Sequence, residues 1–90
     1  MAEYRGIIRK IDQIHSRLSI LHILGTDEEG TRQIHIYWPI DEKYTGRPVS
    51  VNMDMQGGMV HQKVEGNGFS VELYLAKSSA DTITKDYNSR

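Results

Sequence analysis

The chain contains no cysteine. Disulfides, a thiolate metal centre and a thiol nucleophile are therefore excluded. A dominant sign of charge is also missing, with 11 basic residues against 12 acidic ones and a net charge of −1. Such balance exerts no global pull toward nucleic acid or an anionic membrane. Long apolar runs are absent as well. The richest stretch, Leu18 to Leu24, is interrupted by Ser19 and His22 and falls far short of the roughly 20 residues that span a bilayer. The opening Met-Ala-Glu-Tyr-Arg-Gly has neither the basic start nor the apolar run of a secretory leader, so the cytoplasm is the expected compartment. With 90 residues, 38% of them apolar, the chain reads as one small domain near the lower size limit for independent folding.

What the chain does have is a period of two. Phe69, Val71, Leu73 and Leu75 alternate with Ser70, Glu72 and Tyr74, and the rhythm recurs at Val49, Val51, Met53, Met55 and at Ile34, Ile36, Trp38. Alternation of this kind marks strands with one buried and one wet face. It predicts strands at 33–39, 48–56, 59–65 and 69–76, with Gly57-Gly58 and Gly66-Asn67-Gly68 as tight turns. Residues 25–30 read as an acidic, glycine-flanked loop and Asp41 to Pro48 as a second loop. Trp38 is assigned to the core, where its deletion to alanine would cost about 3–5 kcal/mol. Residues 77–90 are polar and predict a flexible C-terminal tail, leaving 1–76 as the folded domain.

The first two dozen residues admit two readings. Ile7, Ile11, Ile14, Leu18 and Leu21 fall on one stripe of a helix, with Gly25 as its stop. The other reading is a hairpin: strand 4–12, a turn near Gln13 to Ser16, and strand 17–24. Isoleucine-rich composition favours strands, and Gly6 would weaken a helix by about 1 kcal/mol. Apolar residues on both faces of 17–24 suit a central strand buried on both sides. The preferred fold is all-β, a small six-stranded antiparallel barrel. The alternative is α+β, with a helix over 3–24 lying on an antiparallel sheet.

The stretch Tyr4-Arg5-Gly6-Ile7-Ile8-Arg9-Lys10-Ile11-Asp12, followed by Leu18-Ser19-Ile20, resembles the first two strands of Sm-like and SH3-like small barrels. With Ile34 to Ile40 added, it is also similar to the barrel part of YolD-like bacterial proteins. The resemblance covers about residues 4–40. It implies a barrel in which a glycine lets a strand bend and an aspartate closes the turn. Gly46-Arg47 runs in the reverse order of the arginine-glycine pair of the second Sm motif, so Sm-type RNA binding is not implied.

No motif carries catalytic chemistry. A nucleophile elbow, a phosphate-cradling loop and a zinc-protease signature are all missing, and Asp27, Glu28 and Glu29 read as a solvated turn. His15, His22, His35 and His61 lack the spacing of a ligand set. The expectation is a non-catalytic binding module without metal or cofactor. Exposed aromatics beside basic groups are how small barrels stack bases. The candidate nucleic-acid-binding residues are Arg5, Arg9, Lys10, Arg17, His35, Tyr37 and Tyr74, with Gln33, His35 and Tyr37 pointing away from the core. The competing expectation is a protein-interaction module or homodimer. In that reading a partner covers the second apolar face of 17–24, and Met53, Met55 and Met59 supply an adaptable surface.

Overall fold

The computed structural model describes residues 2–26 and 30–88. Six strands come first: β1 (Ala2–His15), β2 (Leu18–Gly25), β3 (Thr31–Ile36), β4 (Pro48–Gln56), β5 (Met59–Gly66) and β6 (Phe69–Ala76). A short 3-10 turn, Glu42–Tyr44, lies between β3 and β4, and helix α1 (Lys77–Asn88) closes the order. Every neighbouring pair is antiparallel, and the strands lie in the order β3-β2-β1-β4-β5-β6. The sheet thus joins two three-stranded meanders along the β1–β4 ladder. The expected closure into a barrel is not found, because β3 and β6 are edges with no ladder between them.

The N-terminal segment is a hairpin, not a helix. Its helix-like spacing has a physical cause: the β1–β2 register shifts between Ile8 and Lys10, and again between Gln13 and His15. Each bulge adds a residue to β1 and resets which side chains face inward. Ile8 and Ile11 are therefore both buried although three residues apart, while Ile7 is 44% exposed. Gly6 is required here by space. A Cβ at this position would collide with the Leu24 carbonyl of β2.

The β4–β5 turn follows the sequence directly. Gly57 and Gly58 take φ of 56° and 77°, a left-handed pair that favours glycine and matches the twist of a two-residue hairpin.

Two apolar clusters form. The larger uses only sheet and loop residues: Ile8, Ile11, Leu21, Ile23, Ile34, Ile36, Ile40, Val49, Val51 and Val64. The smaller joins Leu18, Val60 and Leu75 to Ala80 and Ile83 of α1. The supposed flexible tail is thus a helix over residues 77–88 that belongs to the core. Ala80, Ile83 and Tyr87 recur at helical spacing and make a narrow apolar stripe, too sparse to stand out in a polar segment. Lys77 Nζ also bonds both Asp81 carboxylate oxygens at 2.9 and 3.0 Å, one turn along.

Two further expectations fail here. Trp38 is 52% exposed, so it cannot contribute as a core residue. The β3 alternation stops at Ile36, and the chain bends through residues 37 and 38. Buried Ser19 fixes that bend: its Oγ donates to the Trp38 carbonyl at 2.8 Å and accepts from the Ile40 N–H at 2.9 Å. Ile40, 2% exposed, takes the place in the core. The second apolar face of residues 17–24 needs no partner to cover it either. Leu18 and Ile20 are 0% and 2% exposed within the chain, with Leu18 in the cluster formed by α1.

Candidate interaction surfaces

The open sheet is bridged at its β3 edge by a side chain from β5. Gln62 of β5 is fully buried. Its Nε2 donates to the His35 carbonyl at 2.8 Å, and its Oε1 accepts from the Tyr37 N–H at 3.0 Å. These backbone groups lie at the outer edge of β3, so the primary amide stands in for one peptide of a missing neighbour strand. On a flat sheet β3 and β5 would be about 19 Å apart, four strand spacings. The Gln62 contacts therefore require a strongly curled sheet.

Helix α1 seals this seam from outside. The Tyr37 hydroxyl pairs with Thr84 Oγ1 at 3.0 Å, and Tyr87 meets the His35 ring edge-on at 6.1 Å. His35 and Tyr37 do lie opposite Ile34 and Ile36, as the alternation requires. α1 packs over much of this face, leaving both side chains half-buried.

The other predicted binding residues do not converge on them. Arg5 pairs with Glu3. Arg9 sits at the first bulge beside Lys10, and both line a shallow depression shared with Asp12, Glu42 and Thr45. Arg17 occupies the β1–β2 turn. Tyr74 is 57% exposed on β6, three strands away from β1. It stacks on His61 at 4.2 Å and 7°, and His61 bonds Glu72 at 3.0 Å. The structure brings together Arg9 with Lys10, and His35 with Tyr37, but assembles no single basic and aromatic surface from the seven.

The histidines are also dispersed. His22 bonds Asp12 at 2.8 Å, while His35 and His61 have the partners given above. The His15 side chain and Asp27 to Glu29 lie outside the described residues. Among the described residues no three metal-ligating side chains group together. No helix among them is long and apolar enough to cross a membrane.

A different surface is built where the β4–β5 hairpin outruns the core. Along β4 the inner-face residues grade from buried Val49 and Val51 through half-buried Met53 to Met55, which is 50% exposed. Across the turn Met59 is 38% exposed. The Lys77 N–H donates to the Gly58 carbonyl at 3.0 Å, tying the start of α1 to the turn. Between hairpin and helix lies an open groove of about 520 Å³ whose apolar lining is Tyr37, Met53, Met55, Val60 and Ala80. Asp54, Lys77 and Asp81 complete it. Hydrogen bonds from the Gln56 side chain and the Met55 N–H hold the Asp54 carboxyl below its ordinary range. Lys77 is engaged by Asp81, and two acids and one base line the groove.

A second aromatic cluster secures the loop between β3 and β4. Tyr44 stacks on Phe69 at 4.2 Å, with Lys43 and Arg47 against its ring at 5.2 and 5.1 Å. Arg47 also donates to the Asn67 carbonyl at 2.7 Å. Tyr44 is thus enclosed on several sides and serves the fold. Comparison with known proteins gives no match: no family model fits the chain, and no curated protein or solved structure matches it.

Sequence reasoning missed Gln62, although a signal was present. It is the one polar residue in the inward series Val60, Gln62, Val64. A lone amide in such a series must find partners when buried.

Proposed function

We propose that the chain is a non-catalytic protein-interaction module, seating an apolar segment of a partner in the groove between α1 and the β4–β5 hairpin. The observation that supports this reading most directly is Met55, an inward-facing strand residue left 50% exposed at the groove. Methionine side chains are flexible and polarizable and adapt to varied apolar partners. The excess of acid in the lining, Asp54 and Asp81 against Lys77, favours a basic residue next to the apolar anchor.

A displayed random-peptide library tests the reading. The parent should enrich peptides that combine an apolar anchor with a neighbouring Lys or Arg, and Met55→Glu should weaken them about tenfold or more, roughly 1.4 kcal/mol. Equal enrichment on the parent and the variant would overturn the groove assignment. Nucleic acid is the competing ligand. Salt-dependent binding of a labelled mixed-sequence single strand, reduced by Arg9→Ala, would favour it instead. Tyr37→Ala is a poor probe of that alternative, because the Tyr37 hydroxyl also fastens α1.

A further inference from the structure

We infer that the outer edge of β6 pairs with β6 of a second copy of this chain, antiparallel and centred on Leu73. The inference begins with backbone groups that face no strand among the described residues. Gly66 and Phe69 flank a two-residue turn and face each other across the β5–β6 ladder. They form a hydrogen-bonded pair, and alternation then directs Phe69, Val71, Leu73 and Leu75 toward β5. Ser70, Glu72, Tyr74 and Ala76 turn their N–H and C=O groups to the open side. β6 has no neighbour there.

Open edges are normally guarded by charged side chains, lysine above all, by proline, by bulges or by short length. β6 has one of these, the exposed Glu72. Its eight residues, FSVELYLA, contain no proline and no lysine, and its ladder with β5 runs without a register shift. Phe69, Val71 and Leu73 are only half-buried on the inner face, so the apolar surface of the sheet stops short at this edge.

The occupant follows from the strand's own pattern. Pairing the open groups of two identical antiparallel strands sets even-numbered residues opposite even-numbered ones. A centre on Glu72 would place Glu72 against Glu72, and like charges directly opposite are destabilising. A centre on Tyr74 would set Ser70 against Ser78, which already lies in α1, and shorten the ladder. A centre on Leu73 puts Glu72 opposite Tyr74, Ser70 opposite Ala76 and Val71 opposite Leu75. No like charges meet, the inner faces join as one apolar strip, and the ladder uses nearly the whole strand. Such self-complementarity is what a two-fold interface requires.

Sedimentation equilibrium of the full chain tests the assignment, together with two kinds of variant. Tyr74→Pro removes an N–H on the open side and leaves the β5 ladder intact. Leu73→Cys introduces the sole thiol and places it opposite itself in a non-hydrogen-bonded pair, about 4.5 Å between Cα atoms, within disulfide reach. The parent should sediment as a dimer, and Tyr74→Pro as a monomer with the parent's circular dichroism. Leu73→Cys should oxidise to a linked dimer at least about tenfold faster than Val71→Cys, whose thiol faces Leu75. A parent that stays monomeric at all concentrations would overturn the proposal, including the case in which a peptide of another protein fills the edge. So would equal oxidation of the two cysteine variants, a readout that stands even if Tyr74→Pro fails to fold.

Discussion

The two edges of the sheet are finished in opposite ways. On β3 the outward backbone groups of His35 and Tyr37 are taken by the buried Gln62 amide, and α1 lies over the joint through Thr84 and Tyr87. On β6 the corresponding groups face no other strand among the described residues. Both edges belong to the same curled sheet and are built from similarly alternating strands, so strand propensity does not separate them. The difference is one inward polar residue on β5 and a helix that packs on Leu75 of β6 and Val60 of β5 but bonds across to Tyr37 beside β3. A strand edge is silenced by whatever satisfies its amides, and a single glutamine suffices for two of them.

The largest test of this contrast is Gln62→Leu. It keeps approximate volume but strands a part-buried N–H and a part-buried C=O, each costing up to about 1–3 kcal/mol. Urea denaturation should show a loss of about 2–4 kcal/mol, short of two full burial penalties because both groups are part-buried, and a loss below about 1 kcal/mol would overturn the role given to the seam. Next comes Ile83→Ala, which weakens the helix that covers the β3 side. Ile83 is 8% exposed, so the loss should be about 2–3 kcal/mol, near the low end for such deletions. A frayed tail would give almost none.

The smallest effect lies within the β1–β2 pair. The hydrogen bond from His22, with Lys10 adding its charge, holds the Asp12 carboxyl below the ordinary 3.8. A group whose pKa is depressed on folding binds more protons when unfolded, so its stabilisation is present above about pH 4 and is lost as pH falls through the folded value. Asp12→Asn should flatten the acid limb of a stability–pH profile measured by thermal unfolding. The change should be slight, because the carboxylate is about one-third exposed and screened.

How much was legible depended on whether local pattern and tertiary packing agreed. Strands β4 and β6 were readable to their ends, because strict alternation was bounded by glycine turns and by Pro48. The hairpin over β1 and β2 was readable from composition, although two bulges imitated a helical stripe. Trp38 was misplaced because alternation was extended two residues past the end of β3, where buried Ser19 pulls the chain out of the sheet. The helix went unseen because three apolar residues on one stripe carry little hydropathy, and only the surface they cover shows their worth. The same cause misled the site reading. Tyr37 was assigned to the correct face, but a face is not a surface once a helix rests on it. The run of methionines was legible as composition, while its exposure depended on how far the hairpin overshoots the core.

The seam also gives the molecule a built-in reporter. The N-terminal and C-terminal meanders are laced by the β1–β4 ladder, while across the far side the Gln62 carboxamide is the link made directly between strand residues and the backbone beside β3. The amide proton of Tyr37 can exchange with solvent only when that joint parts. Its exchange rate in the native state, set beside that of an amide in the β1–β4 ladder, would show whether the two halves breathe apart along this line while the rest of the sheet holds.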